Sequence, residues 1–166
     1  MKQNIILVNP EHIAKYRGDH TKIQMRSSWE MKFFFSLLKS DKVIWFSSEQ
    51  TVLWYRFKID DKKHRYIMDF SYATRSSKGV EKIFLCEVKP FCQTQKPTRV
   101  TKRGKIRNGR TYARDLVNYI KNLNKWQAAL DYCRLKGYEF VFLTDDPKKD
   151  GKYKLWNWYE LKLPLE

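Results

Sequence analysis

The stretch IFLCEVKP, residues 83–90, is an apolar run that ends in an acid, an amine and a proline. Side chains alternate between the two faces of a β-strand, so Glu87 and Lys89 share one face while Phe84, Cys86 and Val88 share the other. The pattern predicts a buried strand that places two opposite charges at its end. An acid and an amine at the end of a buried strand indicate a functional site at the edge of the sheet.

Helical and β-prone segments surround this strand. Residues 27–40, SSWEMKFFFSLLKS, place apolar side chains at helical spacing and predict a first helix over about residues 28–39. Four short β-prone runs follow, and polar turns separate them. The runs are 43–46, 51–58, 65–73 and 80–89. Together they predict an antiparallel meander in the middle of the chain.

A second helix is predicted over about residues 112–136, where apolar residues form one stripe and basic residues lie largely off it. Gly137 ends this helix, and residues 138–144 (YEFVFLT) read as a strand, as in a βαβ crossover. The order helix, three strands, helix, strand predicts an α/β fold in a single domain, with a mixed central sheet flanked by helices. From Asp145 onward we expect a turn and then a short strand or helix.

The first 26 residues differ from the rest of the chain. They are polar and aperiodic, with Pro10 and Gly18 as breakers. We therefore expect residues 1–26 to form an arm that packs on the domain without belonging to its core. Residues 27–166 form the predicted domain.

The chain is strongly basic. Its 166 residues include 34 Lys and Arg against 18 Asp and Glu, a net charge of +16, and 42% hydrophobic residues are enough to form a core. This surplus predicts a polyanionic partner, nucleic acid before anionic membrane, with nonspecific binding of polyanions as the alternative. Three cysteines without a paired spacing indicate neither disulfides nor a zinc site. No apolar run is long enough for a signal peptide or a membrane span, so we expect a soluble cytoplasmic protein.

A run of cations over residues 96–110, here called the basic loop, follows the strand. It contains no acid, and Gly104 and Gly109 break any regular structure. We predict a mobile loop that contacts DNA phosphates, because each cation placed on a phosphate releases counterions; a solvated linker is the alternative. Gln93 and Gln95, just before the loop, are candidate substrate contacts. The seven basic residues are Lys96, Arg99, Lys102, Arg103, Lys105, Arg107 and Arg110.

Asp69 is out of place in a simple core strand. Alternation in residues 65–70, RYIMDF, puts it on the same face as the apolar Ile67. If this strand pairs with the one that ends at Glu87 and Lys89, the two carboxylates converge at one edge of the sheet. Such carboxylates repel each other unless a cation lies between them, and Mg²⁺ prefers hard oxygen ligands. Lys89 would then hold an attacking water or offset charge on a phosphate.

Several of the charged residues have a structural alternative. Glu30 lies in the apolar stripe of the first helix and so turns toward the sheet, but Ser27-x-x-Glu30 also fits a capping box closed on the Ser27 backbone N–H. Glu49 is expected to be a surface residue rather than an acid of the site. Glu87 and Lys89 also fit a solvated ion pair on an edge strand.

In their order along the chain, these residues resemble a known motif. SWE (28–30) at the start of a helix, MDF (68–70) and EVK (87–89) resemble the PD-(D/E)xK motif of the restriction-endonuclease-like nucleases. The predicted element order is similar to the α-β-β-β-α-β core of that superfamily. One departure is Met68, which stands where the motif usually has proline.

This resemblance implies a Mg²⁺-dependent endonuclease in which Mn²⁺ substitutes for Mg²⁺. It also implies roles for four residues: Asp69 and Glu87 as metal ligands, Glu30 as the acid that supports the metal, and Lys89 as the residue that assists attack. No small-molecule cofactor is implied.

Several longer segments between about residues 9 and 144 resemble the head completion nuclease family of tailed phages. They include KYRGDHTKIQMRSSWE (15–30), CEVKPFCQTQKP (86–97) and NKWQAAL (124–130). The family implies processing of packaged DNA in the host cytoplasm during assembly or on the virion, with phage head or portal components as partners and no membrane. The alternative is a non-catalytic, basic DNA-binding structural protein of the virus particle.

Overall fold

The structure is a computed structural model and describes residues 4–5, 13–101, 103–146 and 152–165. Within these residues, the elements in chain order are β1 (Asn4–Ile5), β2 (Gln24–Met25), α1 (Ser28–Lys39), β3 (Val43–Ser48), β4 (Val52–Phe57), β5 (Lys62–Ile67), β6 (Phe70–Arg75), β7 (Glu81–Val88), α2 (Phe91–Thr94), α3 (Gly109–Lys136), β8 (Glu139–Asp145) and β9 (Tyr153–Asn157). The two predicted long helices are confirmed as α1 and α3. The C-terminal segment, predicted as either strand or helix, contains strand β9.

A five-stranded mixed sheet of order β3-β6-β7-β8-β9 lies at the centre. All neighbouring strands are antiparallel except β7 and β8, which are parallel. Parallel neighbours require a long crossover, and α3 provides it between β7 and β8. The succession α1, β3, β6, β7, α3, β8 is the predicted α-β-β-β-α-β core. The fold class is therefore confirmed as a mixed α/β domain consistent with a restriction-endonuclease-like fold.

One predicted strand, residues 65–73, is in fact two strands in different sheets. The chain leaves β5 at Ile67 and enters β6 at Phe70, and among the described strands β4 and β5 pair only with each other, as a two-stranded hairpin. At the break, the Met68 N–H donates to the Thr51 carbonyl at 2.9 Å, and the Asp69 carbonyl accepts from the Glu49 N–H at 3.2 Å. The expected single meander is wrong, because this hairpin is inserted between β3 and β6.

The two faces of the central sheet carry separate cores. On one face, α1 packs Phe34 and Leu37 in a cluster with Cys86 and Val88 of β7. On the other face, α3 packs Trp126 and Leu130 in a cluster with Leu85 and Phe142. The alternation predicted for β7 is thus confirmed. Burial of each of these large side chains stabilises the fold by about 1.5–3 kcal/mol, so β7 is held firmly from both sides.

The N-terminal segment contributes to the α1-side core, contrary to the expectation for an arm. Ile13, Ile23 and Met25 are buried there, and β2 pairs antiparallel with β1. Regular structure therefore begins before Ser27. Apolar residues spaced irregularly in a polar segment give no periodic signal, which is why the sequence concealed this packing. Residues 1–3 and 6–12 of the predicted arm lie outside the described residues.

The helix ends follow their local sequence. Ser27 caps α1, and Gly137 ends α3 in the left-handed conformation, with φ +69°, that glycine adopts without strain. Its N–H donates to carbonyls of the last helical turn. Among the described residues, no helix is both long and apolar enough to cross a membrane.

Candidate active site

A cleft of about 630 Å³ opens where the carboxyl end of β7 meets the start of α1, the turn between β3 and β4, and α3. All four residues predicted to be catalytic line it: Glu30, Asp69, Glu87 and Lys89. Elements from both faces of the sheet contribute to its walls. The remaining lining residues are Arg26, Ser27, Ser28, Trp29, Glu49, Tyr66, Ile67, Val88, Pro90, Gln93 and Lys125.

Glu87 is the most buried acid of the cleft, with only 3% of its surface exposed. Its strand, β7, is central in the sheet. The Tyr66 hydroxyl donates to Glu87 Oε2 at 2.6 Å, and the Lys89 ammonium lies 3.0 Å from Oε1. A solvated ion pair on an edge strand is therefore excluded. A buried charge of this kind is held in place by partners on both oxygens.

Asp69 lies in the two-residue break between β5 and β6. The Val88 N–H donates to its Oδ2 at 2.7 Å, which ties the carboxylate to the end of β7. Oδ1 has no hydrogen-bond partner among the described residues. Burial and the nearby Glu87 carboxylate raise the pKa of Asp69 well above its usual range. The two acids thus converge as the sequence predicted.

Lys89 stays an ammonium in this setting. Burial lowers its pKa, but the carboxylates of Glu87, Asp69 and Glu30 outweigh burial, and the net pKa is raised. The Lys89 N–H donates to the Leu143 carbonyl at 3.0 Å, so β8 fixes its backbone. An ammonium has three donors and no acceptor. Lys89 can therefore orient a water or a phosphate oxygen but cannot act as a base.

Glu30 combines the two roles that the sequence left open, because it lines the cleft and also closes the cap at the start of α1. The Ser27 hydroxyl accepts from the Glu30 N–H at 3.1 Å and donates to Oε1 at 2.8 Å. Oε2 accepts from the Arg26 N–H at 2.7 Å, rather than from the predicted Ser27 N–H. A metal-binding role for Glu30 stays a prediction, and it would require the carboxylate to leave this cap.

The donor set suits a hard divalent cation held by few protein ligands. Among the described residues, no group of three or more His, Cys, Asp or Glu side chains is arranged to hold a metal. The Glu87 carboxylate nevertheless lies close enough to raise the pKa of Asp69, and Oδ1 of Asp69 has no hydrogen-bond partner in the part of the chain that the structure describes. Mg²⁺ commonly takes one or two carboxylates and completes its shell with water and substrate phosphate. The two acids fit that pattern.

Two cleft residues were missed in the sequence. Tyr66 is buried on β5 and holds Glu87, while Lys125 lies half-buried on α3, its ammonium 5.2 Å from the Tyr66 ring centroid. Burial, together with Lys89 and Lys121, lowers the pKa of Lys125 against the opposing effect of Glu87. Lys125 was missed because it lies off the apolar stripe of the predicted helix, a position that indicates a solvent-exposed side chain.

Glu49 is not the surface residue that we expected. It lines the cleft and forms an ion pair with Arg26, with 2.7 Å between Oε1 and Nε. The hydrogen bond and charge of Glu49 raise the pKa of the Arg26 guanidinium. Glu49 also has a φ of +53°, a conformation that side chains other than glycine adopt at a cost of about 1–3 kcal/mol. This strain is maintained beside Asp69, whose carbonyl accepts from the Glu49 N–H.

The two candidate substrate contacts are separated. Gln93 lines the cleft, whereas Gln95 lines a neighbouring pocket of about 370 Å³ that Gln93 also borders. That pocket lies between the α2 segment and α3, and amide side chains such as Asn118 and Asn122 line its α3 wall. Both glutamines stay predicted contacts.

The basic loop is more ordered than a mobile linker. Val100 and Ile106 form an antiparallel bridge, and the Arg107 N–H donates to the Arg99 carbonyl at 2.9 Å. Arg107 pairs with Asp115 at 2.9 Å and is half-buried, and Arg110 belongs to the first turn of α3. Lys102 lies outside the described residues. The exposed cations are Lys96, Arg99, Arg103, Lys105 and Arg110, and their contact with DNA stays a prediction.

Comparison with known proteins gives two matches. The family described as "TnsA-like endonuclease N terminal" matches residues 40–145, which include Asp69, Glu87 and Lys89 but not Glu30. The "Head completion nuclease" of Enterobacteria phage T4 is 37% identical over 140 residues, which cover 82% of this chain and 88% of the relative. Among solved structures there is no significant match.

Proposed function

This chain belongs to the TnsA-like endonuclease family, which makes it a nuclease, and from that premise we propose that it is a Mg²⁺-dependent DNA endonuclease. The observation that carries the proposal is the convergence of Asp69 and Glu87 in one cleft, with the Lys89 ammonium beside them. Two acids held this close raise the free energy of the folded chain unless a cation offsets them. The net charge of +16 supports a polyanionic substrate.

Asp69 and Glu87 would hold the Mg²⁺, with Mn²⁺ as a substitute. When bound, a divalent ion would polarise the phosphodiester and lower the pKa of a water that it holds. Tyr66 keeps the Glu87 carboxylate in one orientation through its hydroxyl. Lys89 orients the attacking water or offsets charge that develops on the phosphate, and Lys125 brings a second cation to the same wall. Glu30 supports the metal if it is released from its cap.

The biological setting follows from the name of the phage relative. We propose that the chain processes packaged DNA during head completion, in the host cytoplasm or on the particle, with head or portal components as partners. The alternative, a non-catalytic DNA-binding structural protein, predicts DNA binding without cleavage. Burial of the acid pair in a cleft favours the enzyme, because a surface that only binds phosphate does not benefit from two carboxylates.

Cleavage assays separate these two functions. Purified protein is incubated with circular plasmid and with linear duplex in Mg²⁺, in Mn²⁺ and in a chelator, and the Glu87→Gln variant serves as the control. We expect phosphodiester cleavage with either metal, none with the chelator, and none with the variant although it still binds DNA. A folded wild-type protein that binds both DNAs and cuts neither in any metal would establish the structural alternative.

A further inference from the structure

The inserted β4–β5 hairpin has one buried and one exposed face. Alternate side chains, including Leu53, Tyr55 and Tyr66, pack in the cluster beneath α3. The other side chains point to solvent and define what we call the outer hairpin face. Its residues are Val52, Trp54, Arg56, Lys63, Arg65 and Ile67.

Cross-strand register arranges the outer hairpin face in three rungs. Val52 lies opposite Ile67, Trp54 opposite Arg65, and Arg56 opposite Lys63. Directly opposed side chains on one face of an antiparallel pair lie about 4.5–5.5 Å apart at Cβ. The face therefore changes along its length from apolar, through aromatic and cationic, to doubly cationic.

Trp54 is the most unusual member of this face. This large aromatic residue is 55% exposed. Its cross-strand neighbour is the cation Arg65 rather than an apolar residue that could pack on the ring. Arg56 is bound to Asp61, but both side chains are well exposed, so this ion pair contributes little and can be exchanged for a phosphate. An exposed ring among cations is the pattern that binds single-stranded nucleic acid, since unpaired bases stack on the ring while cations track the backbone.

The outer hairpin face is continuous with the active-site cleft. Ile67, in its first rung, lines the cleft, and Tyr66 on the opposite face holds Glu87. At about 3.3 Å per residue, the Trp54 rung lies about 7 Å and the Arg56 rung about 13 Å beyond Ile67. A strand advances about 3.4 Å per nucleotide in duplex DNA and further when it is unpaired and extended, so these rungs lie within about two and about four nucleotides of the cleft.

We propose that the outer hairpin face binds a single-stranded arm of DNA that leaves the cleft, with a base stacked on Trp54 and phosphates on Arg65, Lys63 and Arg56. This inference rests on the proposed nuclease function and specifies its substrate class as DNA with an unpaired arm. In a duplex the base faces are covered by their neighbours and cannot stack on an exposed ring. A second copy of this chain is disfavoured because it would bring the same cations to a protein that already carries +16.

Binding measured in a chelator tests the proposal independently of cleavage. The DNAs are a blunt duplex and duplexes with 5′ or 3′ arms of about two and about eight nucleotides. We expect the wild type to prefer the long arm. Trp54→Ala should reduce that affinity roughly 5- to 150-fold, the effect of removing one stacked base, and so reduce the ratio of armed to blunt affinity. Trp54→Phe should restore most of this ratio.

Cationic residues provide an independent readout. Arg65→Ala should flatten the salt dependence of arm binding by about 0.7 in log–log slope, the value for one single-strand phosphate contact. Lys78→Ala is the matched control, because it removes the same charge from the exposed β6–β7 turn at the opposite end of those strands from the cleft. We expect this control to match the wild type on every DNA.

Four results would overturn the inference: no preference of the wild type for arms, no effect of Trp54→Ala, an equal reduction of affinity for blunt and armed DNA, or a dimer in sedimentation that Trp54→Ala dissociates. The third result would point to duplex binding and the fourth to an interface between copies. None of them depends on whether the protein cuts DNA, so the proposed nuclease function is judged separately by its cleavage assay.

Discussion

Asp69 has a carboxylate that folding alone does not favour. The carboxylate is withdrawn from water beside Glu87, and among the described residues its one hydrogen bond comes from the Val88 N–H. Raised pKa values of this kind arise where a protein keeps charged groups for a ligand or for chemistry rather than for stability. The sequence showed that Asp69 was misplaced in its strand, and the structure gives the reason: the strand ends there so that the carboxylate can turn toward β7.

The first prediction concerns Asp69 and stability. Its pKa is raised above the unfolded value of about 3.9, so the folded protein holds a proton that the unfolded chain has released, and stability falls as pH rises through the folded value. Asp69→Asn should remove this decline and, in a chelator, should exceed the wild type in stability at pH 8 by on the order of 1 kcal/mol. Urea unfolding from pH 4 to 8 measures both. Identical pH slopes for the two proteins would contradict the prediction.

The second prediction separates Glu87 from Lys89. Glu87→Gln removes a proposed metal ligand, so the thermal midpoint should no longer rise with Mg²⁺, and cleavage should be abolished. Lys89→Met should also lose most cleavage, but its midpoint should rise with Mg²⁺ at least as much as that of the wild type, because a competing cation has been removed 3.0 Å from Glu87. Circular dichroism confirms folding of both variants. Loss of the Mg²⁺ response in Lys89→Met would mean that the lysine acts through the metal site.

At the scale of elements, the helices were predictable and the strands only in part. The 3.6-residue period identified α1 and α3 because each buries one face, and Ser27 and Gly137 mark ends that depend on local chemistry. The break between β5 and β6 gave no such signal, since burial still alternates across it, from Tyr66 through Met68 to Phe70. Alternation reports which side of a strand is buried but not which sheet the strand joins.

The third prediction separates the two roles of Glu30 at the start of α1. Ser27→Ala removes the hydroxyl that accepts from the Glu30 N–H and should lower the free energy of unfolding by about 1 kcal/mol with little change in cleavage. Glu30→Gln keeps an acceptor for the Arg26 N–H but removes the charge. We expect this variant to unfold like the wild type and to cleave more slowly. If Glu30→Gln cleaves normally, Glu30 is a cap residue alone.

At the scale of the whole molecule, the site joins the two faces of the sheet. Glu30 and Arg26 come from the α1 side, Lys125 and Tyr66 belong to the α3 side, and β7 carries Glu87 between them. The sequence predicted Asp69, Glu87 and Lys89 together because all three lie at the same end of one strand pair, β6 and β7. It missed Lys125 and Tyr66 because their approach depends on how α3 and the hairpin pack across the sheet, and no local pattern encodes that packing.

The net charge of +16 attracts polyanions to the whole surface, and the last prediction asks how much of the proposed DNA binding belongs to the basic loop. Arg99, Arg103 and Lys105 are exposed cations of the loop, whereas Arg107 is engaged by Asp115. If the three bind phosphates, their joint replacement by Ala should weaken binding to any duplex sequence. The log–log salt slope should then fall by about 0.9 for each phosphate that is no longer neutralised.

The control for this variant removes three cations that lie outside the basic loop and do not line the cleft: Lys39, Lys78 and Lys136. Lys39 ends α1, and Lys136 ends α3 about 40 Å from the start of that helix at 1.5 Å per residue. Both triple variants have the same net charge, so long-range attraction changes equally in the two. A larger decrease of affinity and slope in the loop variant therefore assigns phosphate binding to the loop, whereas equal decreases would mean that the loop contributes only its charge.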